Sequence, residues 1–336
     1  MLAVVCPGQG SQTPGMLQPW LELPGAGASP SPADLLAAFS DAAGIDLVAH
    51  GTTSDADTIR DTAVAQPLIV ASSLVALRAV LDGRDAAEVV DVTAGHSVGE
   101  LAAAAVAGVL DDAGAVGLVT RRAQAMAEAA AAEPSGMSAV VGGDADEVAA
   151  AIELLGLWPA NVNAAGQTVA AGSLDKLALL AENPPARARV IPLQVAGAFH
   201  TPYMEPARKV FEPVARAWKA ADPRLPLLSN ADGAPYSSLS LGEHGHGTAV
   251  DVLARLAAQV TAPVRWDRCS DTLAEMGVTA IIELAPGGVL SGLAKRALKG
   301  VELVAIKSPD DIEAARDLVA RHSAVNLGDA ARQNGA

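Results

Sequence analysis

The stretch VVDVTAGHSVGELAAAAVAG, residues 89–108, joins an apolar run typical of a strand to an alanine-rich run typical of a helix. Between the two lies the pattern G-x-S-x-G, formed by Gly95, Ser97 and Gly99. A strand, a tight turn and a helix in this order are the context of a nucleophile elbow, where a serine hydroxyl is exposed above the sheet. In that interpretation the glycines relieve crowding in the turn, and the helix N-terminus points at the site. A second interpretation stays open, in which Ser97 is a plain helix cap.

The same alternation of strand and helix continues along the chain. Apolar runs of strand length occur at 2–6, 89–94, 137–143, 189–197, 225–230, 279–286 and 301–306. Helical patterns lie between them, among others at 34–44, 64–82, 99–108, 112–131, 250–258 and 267–276. This order predicts an α/β protein with a mostly parallel sheet.

One segment departs from the simple alternation. Its predicted elements are a strand at 137–143, a helix at 144–156, strands at 160–164 and 167–172, a helix at 173–182 and a strand at 188–194. The order β-α-β-β-α-β is that of ferredoxin-like domains. We therefore expect an inserted ferredoxin-like subdomain over 128–196. Residues 1–127 and 197–323 would form the large catalytic domain, and 324–336 a flexible tail.

Composition narrows the class of protein. The chain has 336 residues, of which 51% are hydrophobic and 18% charged, so it is long enough and apolar enough for a substantial core. A net charge of −15 disfavours nucleic acid as a partner, because phosphate contacts need clustered Lys and Arg. Two cysteines are too few for a disulfide framework, and no uninterrupted apolar run is long enough to span a membrane. We expect a cytoplasmic protein that binds no membrane.

The loop Pro7–Gln12, with the sequence PGQGSQ, follows the first predicted strand. Such a loop lies at the carboxyl edge of a parallel sheet, where binding sites gather. It does not predict a dinucleotide site. Gly8 and Gly10 lack the third glycine of that fingerprint, since Thr13 stands in its place.

Two further segments carry chemistry. The run GAFHTPYM follows a predicted strand and places His200 in a loop, whereas His96 is expected to shape the turn around Ser97. The run VTRRAQAM places Arg121 and Arg122 in the middle of a largely apolar helix. A mid-helix arginine that faces inward needs an anion or a carboxylate as partner.

Taken in order, these motifs resemble the malonyl-CoA:acyl carrier protein transacylases, over roughly residues 1–310. The segments that carry the resemblance are PGQGSQ, GHSVGE, RRAQAM, NVNAAGQTVAAG, GAFHTPYM, SNADG, QVTAPVRW and ELAPGGVLSGL. The resemblance implies an α/β-hydrolase-like core with an inserted ferredoxin-like subdomain. It also implies a Ser–His dyad, with Ser97 as nucleophile and His200 as base. In place of a third, acidic residue it implies a backbone carbonyl that orients the histidine, at Gln259.

The resemblance also assigns the groups around the reacting carbonyl. The backbone N–H groups of Gln9 and Val98 match the oxyanion hole. Arg122 matches the arginine that binds the malonyl carboxylate, and its choice over Arg121 depends on the spacing to Met126. A guanidinium suits a planar carboxylate because it donates two charge-assisted hydrogen bonds at once.

The remaining predicted contacts lie in the acyl pocket. Asn161 and Asn163 belong to the small domain's motif, and Phe199 precedes the histidine, where a phenylalanine accompanies malonyl rather than methylmalonyl in the related polyketide enzymes. Two positions depart from the family pattern. Ala123 replaces the usual glycine after the arginine, and AAGQ (164–167) replaces SPGQ. Neither change removes a chemical group assigned here.

The implied reaction is a ping-pong transfer from malonyl-CoA to the phosphopantetheine thiol of acyl carrier protein, through a malonyl-serine, with no cofactor and no metal. We expect a monomer. Alternatives are a free-standing polyketide acyltransferase, a malonate decarboxylase transacylase subunit, a serine esterase and a non-catalytic carrier-binding module.

An acidic carrier would need a local basic surface. The candidates, here called the two basic pairs, are Arg187 with Arg189 and Lys295 with Arg296.

Overall fold

A computed structural model describes residues 1–24 and 30–323. The strands are β1 (Leu2–Cys6), β2 (Val92–Gly95), β3 (Gly136–Gly142), β4 (Trp158–Ala164), β5 (Gln167–Gly172), β6 (Ala188–Pro192), β7 (Val264–Arg265), β8 (Ala280–Glu283) and β9 (Glu302–Ala305). The first helices are α1 (Pro32–Ala43), α2 (Leu47–Thr52), α3 (Thr62–Leu81), α4 (Gly99–Val106), α5 (Asp112–Ala132) and α6 (Ala145–Leu154). The others are α7 (Leu174–Glu182), α8 (Glu205–Arg216), α9 (Ala249–Ala258), α10 (Trp266–Glu275), α11 (Val289–Ala297) and α12 (Ile312–His322).

The first sheet is parallel and has the strand order β2-β1-β8-β9. Its two central strands are buried along their whole length, as expected where helices cover both sides of a sheet. The carboxyl ends of β1 and β2 are neighbours, with Cys6 paired to Gly95. The loop after β1 and the turn after β2 therefore lie side by side.

The second sheet has the order β6-β3-β5-β4-β7. Its first four strands are antiparallel and arise from the consecutive elements β3-α6-β4-β5-α7-β6, the predicted β-α-β-β-α-β order. A separate apolar cluster, which includes Val140, Ile152 and Leu180, packs between this sheet and its helices. The fold class is confirmed. The proposed boundary at residue 128 lies within α5, which continues to Ala132, and the predicted tail lies outside the described residues.

The strand predicted at 225–230 is wrong. The segment forms two isolated bridges and no strand: one pairs Leu227 with Thr93, and the other pairs Leu228 with Pro235. Pro226 has no N–H for a ladder, and the chain turns back at once through Gly233, whose φ is +74°. The segment consequently delivers Asn230 to the interior instead of extending the sheet.

Helix α3 is long and apolar enough to pass a membrane-span test by composition, with 83% of its apolar window buried in the protein. A core helix passes the same test. Leu68, Ile69 and Leu74 are fully buried here, and α3 packs against α5 and α4.

Candidate active site

The turn that carries Ser97 is an elbow between β2 and α4. Ser97 has a φ of +54°, a left-handed conformation that is rare for a residue with a side chain. A Cβ on Gly95 would collide with the carbonyl group of Gly99, and one on Gly99 would collide with the carbonyl oxygen of Cys6. Only glycine fits at either position. The predicted strand–turn–helix and the steric role of its glycines are confirmed.

Ser97 and His200 form a hydrogen-bonded pair although 103 positions separate them. The Oγ of Ser97 lies 2.7 Å from Nε2 of His200, and Nδ1 of His200 lies 2.8 Å from the carbonyl oxygen of Gln259. A carbonyl oxygen only accepts, so Nδ1 carries the proton and Nε2 is left to accept from the serine hydroxyl. Burial, and next the charge of Arg122, lower the pKa of His200 to about 3. At neutral pH the imidazole is therefore uncharged and can take a proton.

Arg122 is fully buried beside this pair, whereas Arg121 is exposed on the other face of α5. Nη1 of Arg122 donates to Oε1 of Gln66 at 2.6 Å, and Nη2 donates to Oε1 of Gln259 at 2.7 Å. Nη2 also lies 3.5 Å from Oγ of Ser97, and the buried Nε has no partner among the described residues. Burial lowers the pKa of Arg122 to about 10, so it keeps its charge at pH 7. A cation within reach of the nucleophile suits an anionic substrate.

A cavity of about 190 Å³ opens in front of Ser97, between the two sheets. Its walls come from both parts of the molecule and are mostly apolar. Phe199, which is 6% exposed, forms part of the wall next to His200. Three residues of α11 also line the cavity: Val289, Leu290 and Leu293. The cavity suits a small ligand whose reacting atom must reach Ser97.

Gln9 and Val98 lie on adjacent turns. Gln9 follows β1 and lines the cavity, and its side-chain amide faces the backbone oxygen of Arg60 and the hydroxyl of Thr62. Val98 directly follows Ser97 and is buried. Neither backbone N–H makes a hydrogen bond with the described part of the chain. Both remain available as donors.

Asn161 and Asn163 of β4 line the cavity and are 6% and 8% exposed. Oδ1 of Asn163 lies 2.8 Å from Nε2 of His96, whose ring packs against Trp266. This hydrogen bond joins the second sheet to the elbow. Asn161 is paired with Val264 of β7 in the ladder.

Three buried polar residues of the site are missed by the sequence reasoning: Glu100, Asn230 and Gln66. Asn230 accepts from the backbone N–H of Ser97 at 2.8 Å and donates to the carbonyl of Gly95 at 2.7 Å. Glu100 accepts from the backbone N–H of Asn230 at 2.7 Å and from Nε2 of Gln259. Glu100 and Asn230 do fall inside the quoted motifs GHSVGE and SNADG, which was the available signal. No motif marks Gln66.

The two basic pairs are exposed. Arg189 is on the edge strand β6, and Lys295 and Arg296 are in the last turn of α11. Arg296 donates to Oε1 of Gln167 at 3.0 Å, and Gln167 lines the cavity. At least this pair therefore lies near the cavity.

The family model described as "Acyl transferase domain" matches residues 3–319. The chain belongs to this acyl transferase family. The acyltransferase is 52% identical over 323 residues to the malonyl CoA-acyl carrier protein transacylase of Mycobacterium tuberculosis strain H37Rv, covering 95% of this chain and 100% of that protein.

Two solved structures are similar to the acyltransferase along nearly its whole length. The crystal structure of MCAT from Mycobacterium tuberculosis has a TM-score of 0.84 at 51% identity, covering 94% of this chain and 99% of that one. A malonyl-transacylase in complex with a type II PKS acyl-carrier protein has a TM-score of 0.83 at 28% identity, with the same coverage.

Proposed function

We propose that the enzyme transfers a malonyl group from malonyl-CoA to the phosphopantetheine thiol of an acyl carrier protein. The observation that carries the proposal is the buried Arg122, 3.5 Å from a serine that is hydrogen-bonded to a neutral histidine. The names of the similar transacylases support the same donor and acceptor. Fatty acid and polyketide synthesis both use this reaction.

In the first half-reaction the hydroxyl of Ser97 gives its proton to Nε2 of His200 while Oγ attacks the thioester carbon. The N–H groups of Gln9 and Val98 would stabilise the oxyanion, since both are free donors on neighbouring turns. The carbon–sulfur bond then breaks, and the coenzyme A thiol leaves with the proton from His200. The carbonyl of Gln259 holds the ring throughout by accepting from Nδ1.

The second half-reaction reverses these steps with a different thiol. The pantetheine thiol gives its proton to His200, its sulfur attacks the malonyl-serine ester, and Ser97 recovers the proton as the ester bond breaks. The only bonds exchanged are acyl bonds, so atoms and charge balance without a redox or metal cofactor.

Arg122 would bind the free carboxylate of the malonyl group in both half-reactions. A buried cation favours an anionic acyl group over a neutral one, because each buried charge then has a partner. A general serine esterase has no use for such a cation. Its histidine would also pair with a carboxylate, whereas Nδ1 of His200 meets a backbone carbonyl.

The test is the intact mass of the enzyme after mixing with malonyl-CoA in the absence of carrier protein. Wild type should gain one malonyl group, and peptide mapping should place it on Ser97. Ser97→Ala should gain none. Ser72→Ala is the matched control, because among the described residues the hydroxyl of this buried serine bonds only within its own helix, and its loss should leave the label intact. A labelled Ser97→Ala protein would contradict the proposal, and so would free malonate as the main product with carrier present.

A further inference from the structure

Glu100 is a buried carboxylate that the proposed reaction does not use. It is 3% exposed, and each of its oxygens accepts one hydrogen bond, Oε1 from the backbone of Asn230 and Oε2 from the side chain of Gln259. Within residues 1–24 and 30–323 it forms no salt bridge with Lys or Arg. Its place in the first turn of α4 gives some favourable interaction with the helix dipole, but that does not require burial.

Gln259 links Glu100 to two groups of the site. Its backbone carbonyl accepts from His200, and its side-chain Oε1 accepts from Nη2 of Arg122 at 2.7 Å. Its Nε2 faces Glu100 and also the backbone carbonyl of Ser97 at 3.0 Å. The side-chain amide therefore lies between a cation on its oxygen side and a carboxylate on its nitrogen side.

The orientation of that amide matters for Arg122. If the amide were flipped, its NH₂ would face the guanidinium, and two donors would meet in a buried space. The carboxylate of Glu100 only accepts, as does the carbonyl oxygen of Ser97, so together they allow one orientation alone, with Nε2 towards Glu100. That orientation leaves Oε1 to fix one edge of the guanidinium, while Gln66 fixes Nη1.

We propose that Glu100 is a positioning residue for donor specificity, which acts through the Gln259 amide to hold Arg122 where it binds the acyl carboxylate. The inference rests on the proposed function. It goes beyond it by assigning specificity to a residue that touches neither the acyl group nor the reacting atoms.

The first experiment compares kcat/KM for malonyl-CoA and acetyl-CoA in wild type and Glu100→Gln at about pH 9, where the carboxyl group of Glu100 is ionised. The amide introduced by this substitution can accept from only one of the two partners, so its NH₂ opposes a donor either on Asn230 or on Gln259. We expect the malonyl value to fall roughly 10- to 100-fold and the acetyl value less than about threefold, since hydrogen bonds to charged groups are the strong ones and acetyl does not use Arg122. An unchanged malonyl-to-acetyl ratio would overturn the proposal.

A double-mutant cycle separates positioning from a general structural effect. In an Arg122→Ala background, Glu100→Gln should change the malonyl-to-acetyl ratio no further, because the residue through which it acts is gone. If Glu100→Gln lowered the malonyl-to-acetyl ratio by the same factor with and without Arg122, Glu100 would not act through Arg122.

Two variants keep the test decisive if Glu100→Gln folds poorly. Gln259→Met removes the side-chain amide but leaves the backbone carbonyl. It should lower the malonyl-to-acetyl ratio by about the same factor as Glu100→Gln does. Glu283→Gln is the matched control, because Glu283 is also a buried carboxylate that accepts two backbone N–H groups, those of Leu290 and Ser291. It should share any loss of thermal stability but keep the ratio. A Gln259→Met enzyme with the wild-type ratio would refute the inference.

The pH profile gives a readout that a purely structural role would not produce. Burial raises the pKa of Glu100 to about 8, against the opposing effect of its hydrogen bonds and of Arg122. The protonated acid accepts these two hydrogen bonds more weakly than the carboxylate does, so the wild-type ratio should rise as the pH increases from about 6 to about 9, and that of Glu100→Gln should not. Of the other groups that face it, Arg122 has a pKa of about 10, and burial raises the pKa values of Tyr236 and Cys269, so none of these three titrates in this range. The remaining charged group that acts on Glu100 is the guanidinium of Arg255. A flat wild-type ratio would contradict the proposal.

The two proposals can fail separately. If wild type forms no malonyl-serine, the proposed function is wrong. If wild type forms it and Glu100→Gln keeps the full preference for malonyl, only the inference about Glu100 is wrong.

Discussion

Arg122→Ala should shift the donor preference of the enzyme from malonyl-CoA towards acetyl-CoA. The guanidinium is fully buried, and its partners Gln66 and Gln259 are neutral, so in the proposed complex the acyl carboxylate is the charge that it contacts. Without Arg122 that carboxylate would enter a buried site unpaired. Removing one partner of a buried ion pair costs about 3–5 kcal/mol, which corresponds to a loss of roughly 10²- to 10⁴-fold in kcat/KM for malonyl-CoA.

Acetyl-CoA should respond differently because its methyl group makes no ion pair. Its kcat/KM should change by less than about threefold or increase. Steady-state measurements for both donors at saturating carrier protein give the ratio directly. Arg121→Ala is the matched control, since Arg121 is the exposed neighbour on the same helix and should keep the wild-type ratio. Arg122→Lys keeps the charge but cannot donate two parallel hydrogen bonds. Its malonyl-to-acetyl ratio should therefore lie between those of wild type and Arg122→Ala. An Arg122→Ala enzyme that still prefers malonyl-CoA would refute the assignment.

The cavity, the base and the surface each give a further prediction. Phe199→Ser should enlarge the wall beside His200 and raise methylmalonyl transfer relative to malonyl by at most ~10–200-fold, measured as a kcat/KM ratio; no gain would show that the ring does not limit the α-carbon. Because the pKa of His200 is lowered to about 3, its neutral form persists as the pH falls. Acylation of Ser97 by acetyl-CoA should therefore stay level from about pH 8 to about pH 5 in rapid-quench assays, and a fall centred at the ordinary histidine value of 6.5 would contradict this. Charge reversal at the two basic pairs should raise the KM for carrier protein but leave acylation by malonyl-CoA unchanged; an unchanged KM would exclude both pairs from docking.

Local patterns were sufficient to predict most of the fold. The elbow, the β-α-β-β-α-β segment and most helices follow from periodicity and turn residues within a few positions. Local patterns also predict which of Arg121 and Arg122 faces the interior. In α5, Arg122 shares its face with the buried Val119 and Met126, three and four positions away, whereas Arg121 shares the exposed face with Gln124 and Glu128. Helix periodicity alone therefore turns Arg122 inward.

The polar network under the elbow could not be predicted in this way. Glu100 and Gln259 are separated by 159 positions and meet only because α4 packs near the end of α9. Glutamate in the first turn of a helix is expected on the surface. The apolar run LAAAAV that follows it does indicate a buried helix, but nothing in the sequence indicates which residues Glu100 contacts. The strand predicted at 225–230 failed for a related reason, since its apolar pattern does serve the core, but as a turn that delivers Asn230 to the back of the elbow.

The charges of the site suggest why one buried cation can act on both binding and chemistry. Arg122 stands close enough to His200 to lower its pKa, and so it opposes the imidazolium that forms when Ser97 gives up its proton. A bound malonyl carboxylate would offset that repulsion at the moment the base is needed, whereas an acetyl group would not. Under the proposed function, the preference for a dicarboxylic acyl group therefore has two sources, the ion pair itself and the easier protonation of His200 that it permits. Both sources depend on where the guanidinium lies, and that position depends in turn on the amide of Gln259 and on the carboxylate behind it.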